Sequence, residues 1–138
     1  MVLIYPVIFT ATHDDKDTYL IEIPDIGGAT EGYGLLDAYK MAKDYIGNHC
    51  YNKANSEIPS SSGIKSIKAE EGEFADAGDT FVSLVDVDLD AFRKIMNNKA
   101  IRRNVSIPSW LNQAADEAGL NVSRGLQEAL LEKLQIEQ

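Results

Sequence analysis

Lys99-Ala100-Ile101-Arg102-Arg103-Asn104-Val105-Ser106-Ile107-Pro108 decides the fold of the last part of this chain, and with it the reading of the rest. β-Branched residues alternate with polar ones up to a proline, the pattern of a short strand that cannot continue. Two helical patterns follow, split by Gly119-Leu120. Side chains alternate along a strand, so Ile101, Arg103, Val105 and Ile107 share one face and Arg102, Asn104 and Ser106 the other. Val105 and Ile107 are the natural core anchors, which turns Arg102, Asn104 and Ser106 outward. Arg103 falls at the frayed end of the inner face, within reach of solvent or a phosphate. Pro108 cannot donate to a ladder and suits the first turn of a helix.

The first helix is expected from Ser109 or Trp110 to Ala118, with Trp110, Leu111, Ala114, Ala115 and Ala118 as its apolar set and Gly119 as its C-cap. Asn121 is a good N-cap for the second, with Ser123 assisting, and Val122, Leu126, Ala129, Leu130 and Leu134 recur at helical spacing. Gly125 costs that helix about 1 kcal/mol against alanine, which a close helix crossing at a dimer interface would explain. A lone strand must pair, and one strand with two short helices cannot cover these apolar residues. The simplest closure is two chains pairing antiparallel about a twofold axis. Val105, Ile107, Trp110, Leu126 and Leu130 then form the dimer core.

A two-stranded ribbon fits the major groove of DNA. Outward Arg102 suits guanine O6 and N7, outward Asn104 suits adenine N6 and N7, and Ser106 is less selective. Arg103 and Lys99 join the DNA-binding set. Asn121 and Ser123 mark a helix N-terminus whose free N–H groups favour a phosphate. The expected module is a ribbon-helix-helix over residues 99–138. The plainer reading is a dimer edge carrying solubilising arginines.

Charge sharpens the contrast. Residues 1–92 hold six Lys/Arg against 17 Asp/Glu, whereas residues 93–138 hold seven against five. Five cations and no acid stand between Arg93 and Arg103. An acidic half repels nucleic acid and attracts a cationic partner; a basic end does the reverse. No apolar run approaches the roughly 20 residues that span a bilayer, and Met1-Val2-Leu3-Ile4-Tyr5-Pro6 lacks a basic start, so neither an anchor nor a signal peptide is expected. The single Cys50 excludes an internal disulfide and a cysteine-based zinc site, and reads as a small buried hydrophobe. A cytoplasmic setting fits.

In the acidic half, Tyr5–Ala11 and Tyr19–Ile23 read as strands of an antiparallel hairpin around the polar turn His13–Asp17, the second strand ending at Pro24-Asp25. Ile26–Gly32 is glycine-rich without the spacing or lysine of a phosphate loop, and reads as an irregular edge or bulge. Leu35–Ile46 has helical spacing, with Gly47 placed to end it. Residues 48–73 read as a long, weakly structured connection with a turn near Ile64–Ile67. Thr80–Val87 is a third strand, and Asp88–Lys94 a short helical turn before a hinge at Met96-Asn97-Asn98. The expected class is α+β: a small β-β-α-β domain over residues 1–95, then the C-terminal module.

Asp86, Asp88 and Asp90 could hold a divalent cation, but they lack the glycine and glutamate of a calcium loop and read as one solvent face of the strand. His13 and His49 have no partners at useful spacing. No catalytic set, metal site or cofactor is expected, and the chain does not read as an enzyme.

Tyr5-Pro6 opening a strand, a hairpin closing at Pro24-Asp25, a glycine-bearing loop and a helix beginning after Gly34-Leu35-Leu36-Asp37-Ala38 together resemble the HicB antitoxin domain over residues 3–47. Gly27-Gly28-Ala29 departs from the Pro-Gly-Cys that many members carry there. Residues 100–134 resemble the ribbon-helix-helix tail of one HicB branch: Arg102-Arg103-Asn104-Val105-Ser106-Ile107-Pro108, Trp110-Leu111, Ala118-Gly119-Leu120-Asn121-Val122-Ser123 and Leu126-Gln127-Glu128-Ala129-Leu130. The resemblance implies a reduced ribonuclease-H-like fold for the first domain. It implies a type II antitoxin that neutralises a small basic HicA-type, mRNA-cleaving toxin and represses its own operon at promoter DNA. It also implies a homodimer through the C-terminal domain, in some members combined into tetramers. The helix Leu35–Ile46 and its flanking loops are the expected toxin-facing part. The alternatives are a stand-alone ribbon-helix-helix repressor without a toxin, and a metal-dependent nuclease relying on Asp86.

Overall fold

Leu3, Tyr5, Val7 and Phe9 alternate on one side of an extended segment, and this segment is β1 (Val2–Ala11) in the computed structural model, which describes residues 1–98 and 101–136. The chain divides into two compact units, Met1–Lys99 and Ala100–Gln138.

In the first unit β2 (Thr18–Ile23) returns antiparallel beside β1, and β3 (Gly28–Tyr33) pairs with β2. After helix α1 (Leu35–Cys50), β4 (Asp79–Asp88) pairs with the other side of β1, giving the order β3-β2-β1-β4. The register sets Phe9 opposite Ile21 and Phe81, Tyr5 opposite Val85 and Leu3 opposite Val87, so these side chains share one face. Along α1, Ala38, Ala42, Ile46 and Cys50 recur every fourth residue, form one stripe and are fully buried against that face. On the opposite face Ile8 is buried, with Gly72 close by.

The segment between α1 and β4 winds through four single 3-10 turns, Asn55–Glu57, Ile64–Ser66, Ala69–Glu71 and Ala75–Ala77. Specific bonds tie it to the sheet. The Tyr5 hydroxyl donates to the Pro59 carbonyl (2.6 Å), Asp25 accepts from the Ser62 backbone N–H (2.8 Å) and hydroxyl (2.5 Å), and Glu22 accepts from the Glu73 N–H (2.8 Å). α2 (Leu89–Met96) follows β4 directly, capped by the Asp88 carboxylate, which accepts from the Ala91 N–H at 3.2 Å.

Several expectations need correction. The glycine-rich passage does lie at the sheet edge, but as the regular strand β3 and not as a bulge, so the order is β-β-β-α-β. Glycine suits this strand because a Cβ on Gly32 would lie 2.6 Å from the Ala38 Cα, where the helix backbone passes over the sheet. Gly47 does not end α1, which runs three residues further. It sits inside the helix because a Cβ there would meet the Phe92 ring of α2 at 2.4 Å. Residues 48–73 are not weakly structured, since the side-chain bonds above hold them. Asp90 leaves the solvent face of the strand for the first turn of α2.

In the second unit α3 (Ser109–Glu117) ends at Ala118, after which Gly119 adopts φ +68°. The Gly119 N–H donates to the Asp116 carbonyl and the Leu120 N–H to the Ala115 carbonyl, satisfying two end carbonyls of the helix. Asn121 caps α4 (Val122–Leu134), its side chain accepting from the Arg124 N–H at 3.1 Å. Residues 101–108 carry no strand in the single chain. A strand needs a neighbour's N–H and C=O groups, and one copy of this unit supplies none.

Candidate functional site

Cations and uncovered apolar residues meet in residues 101–136. Arg102, Arg103, Asn104 and Ser106 are all exposed on the segment leading into α3, and none makes a side-chain hydrogen bond or ion pair among the described residues. Lys99 lies outside the described residues. Ser123 is exposed in the first turn of α4. The Asn121 side chain is already committed to the Arg124 N–H, which leaves the backbone N–H groups of that turn as the donors an anion would meet.

The residues read as a dimer core are not covered. Trp110 is 70% exposed, Val105 58% and Leu130 51%, and Ile107 and Leu126 are exposed as well. No described residue of the unit is buried; only Ala115 and Leu131 are even half-covered. A Cβ on Gly125 would meet nothing within 4 Å beyond the backbone of its own helix.

Arg93 does not belong with the exposed cations of the basic run. Its Nε donates to the Tyr51 carbonyl (3.2 Å), one terminal nitrogen to the Lys53 carbonyl (2.8 Å) and the other to Asn55 Oδ1 (3.0 Å). It fastens α2 to the chain leaving α1. The sequence shows it as one more charge beside Lys94.

On the acidic unit, the Tyr39 hydroxyl donates to Asp86 Oδ1 at 2.8 Å, and Lys43 Nζ stands 3.9 Å from the same oxygen. That hydrogen bond first, and then the lysine, hold the Asp86 carboxyl below its ordinary range; the same bond raises the Tyr39 phenol. Asp14 is lowered by the backbone N–H and hydroxyl of Thr18, both at 2.8 Å, and is thereby a turn-former. His13 Nε2 lies 2.6 Å from Asp79 Oδ2. Asp86, Asp88 and Asp90 are engaged separately, with Tyr39, as a cap and in α2. Among the described residues no three His, Cys, Asp or Glu side chains are placed to hold a metal ion. Cys50 is buried, and burial pushes its thiol up, away from the reactive thiolate.

Phe9, Leu35, Leu36, Tyr39, Phe81 and Ser83 line an apolar groove of about 400 Å³ at the start of α1 and β4. Sequence periodicity does not reveal it. Its one trace is the Leu35-Leu36 pair, two apolar residues at a helix start whose buried stripe begins only at Ala38.

The model of the HicB_like antitoxin of bacterial toxin-antitoxin system matches residues 5–128. Among solved structures, the chain is similar to one from "Toxin-Antitoxin complex from Streptococcus pneumoniae", with 29% identity, a TM-score of 0.59, and 96% of this chain and 99% of that one covered. It is also similar to "Crystal structure of the Burkholderia Pseudomallei antitoxin HicB", with 24% identity, a TM-score of 0.49 and 99% of each chain covered. No curated protein matches. With a family model spanning both units, from β1 into α4, the chain belongs to the HicB-like antitoxins of bacterial toxin–antitoxin systems.

Proposed function

We propose that this antitoxin binds and neutralises a HicA-type, mRNA-cleaving toxin through residues 1–95, and represses its own operon through paired copies of residues 99–138 on promoter DNA. The observation that carries the second half is the uncovered apolar surface of residues 101–136, lying on the same short unit as Arg102 and Arg103. A second copy would cover Val105, Ile107, Trp110, Leu126 and Leu130 and would supply the ladder that residues 101–108 lack. The resulting ribbon presents Arg102, Asn104 and Ser106 to base edges, with Arg103, Lys99 and the α4 start near Asn121 and Ser123 on phosphates. The likeness to a chain of a toxin–antitoxin complex supports the first half, as does the acidic charge of Met1–Lys99. The role is one of binding, without catalysis.

The test is co-expression with the small basic protein of the adjacent reading frame, followed by gel-shift titration on the upstream DNA. Co-purification and a shifted band are expected. Arg102→Ala and Asn104→Ala should each weaken the shift by about 1–3 kcal/mol and leave toxin binding intact. Loss of toxin binding in those two variants would sink the division of labour.

A further inference from the structure

The groove at the start of α1 is apolar where a helix beginning is ordinarily polar. Leu36 is 68% exposed and Leu35 56%, and Phe81, stacked on Phe9 with centroids 5.3 Å apart, is 40% exposed on the edge strand β4. Leu35, Leu36 and Phe81 line one groove together instead of standing scattered singly over the surface. At about 400 Å³ the groove falls within the range of ligand sites, yet it lacks the convergent polar groups such sites use for orientation. Of its two hydroxyl-bearing residues, Tyr39 already donates to Asp86 and leaves only Ser83. That lining suits a hydrocarbon side chain better than a polar metabolite.

The surroundings select the owner of that side chain. Asp79, in contact with His13, stands two residues from Phe81 on the same face of β4, Asp37 follows Leu36, and the turn at the same end of the sheet, where Ala11 pairs with Asp79, holds Asp14, Asp15 and Asp17 against the single Lys16. Lys43, whose Nζ lies 5.5 Å from the centre of the Tyr39 ring, faces Asp86 Oδ1 at 3.9 Å. An apolar seat inside an acidic rim favours a cationic protein presenting a large apolar residue, and the rim adds on-rate to the contact. We propose that the groove lined by Leu35, Leu36, Phe81 and Phe9 is the anchor pocket for an apolar side chain of the cationic toxin. This inference rests on the toxin-binding half of the function proposed above, and deepens it.

The full-length chain is titrated calorimetrically with the small basic protein of the adjacent reading frame, as wild type and as Leu36→Lys, Leu36→Met and Ile95→Lys. Leu36 is mostly exposed, so its replacement leaves the fold intact, which an unchanged thermal midpoint verifies. Ile95, 76% exposed on α2, is an equally uncovered apolar control beyond the far end of α1. Leu36→Lys should bind about ten- to a hundred-fold more weakly, with Leu36→Met and Ile95→Lys near wild type. Tight binding by wild type and Leu36→Lys alike would overturn the groove and leave the antitoxin function standing. Failure of the wild type itself to bind would overturn both. If Leu36→Lys lowers the mass of the free chain in light scattering, a second copy fills the groove and the assignment to the toxin is wrong.

Discussion

Tyr5 is 1% exposed, its hydroxyl donates to the Pro59 carbonyl, and burial, more than any neighbouring charge, pushes its phenol up to about 12. An unfolded tyrosine titrates near pH 10. Between about pH 10 and pH 12 the unfolded chain therefore loses a proton that the folded chain keeps. The stabilisation is complete below pH 10 and disappears as pH rises through about 12, amounting to roughly 3 kcal/mol at most. Tyr5→Phe should flatten that part of a thermal-midpoint-against-pH curve, while costing about 1–2 kcal/mol at neutral pH for the carbonyl left without its donor. Gly47 gives a second residue-scale test. In an exposed helix interior glycine to alanine gains about 1 kcal/mol. Here the added methyl meets the Phe92 ring at 2.4 Å, so Gly47→Ala should instead destabilise by about 1–3 kcal/mol in urea denaturation. A stabilised Gly47→Ala would show that α2 yields freely to α1.

At the scale of elements, α2 is held to the rest of its unit by packing of Leu89 and Phe92 and by the three bonds of Arg93. Arg93→Met keeps a comparable aliphatic stem and removes those bonds. It should lower stability by about 1–3 kcal/mol, and the amides of α2 should exchange with solvent roughly tenfold faster, read by hydrogen–deuterium exchange. The elements that periodicity exposes were legible: β1, β2 and β4 through β-branched and aromatic runs, and α1, α3 and α4 through apolar residues at helical spacing. β3 was not, because Gly28-Ala29-Thr30-Glu31-Gly32-Tyr33 carries little β-propensity and is extended by its pairing with β2 and the close approach of Ala38. Gly47 misled for a related reason, since glycine after a helical run ordinarily ends the helix and here it makes room for Phe92. The capping of α4 by Asn121 was legible because it is local. The groove was not, since Phe9, Leu35 and Phe81 are brought together only by the fold.

At the scale of the whole molecule the two units differ in what they need. Met1–Lys99 has a core of its own, built on Tyr5, Phe9, Ile21, Ile46 and Val85, whereas no described residue of the second unit is buried. Removing residues 99–138 should leave a folded domain whose thermal midpoint does not depend on its concentration, and should abolish the DNA shift. The excised 99–138 fragment should melt at a temperature that rises with its concentration, because association is what stabilises it. A midpoint of that fragment independent of concentration would contradict the pairing. The proposed DNA-binding unit, with no buried described residue in one copy, would also have a threshold built into it. Where only a small fraction of chains is paired, the number of pairs follows the square of the chain concentration, so halving the pool leaves about a quarter of them. Repression would then release steeply as the antitoxin is depleted, while the self-sufficient first unit declines only in proportion.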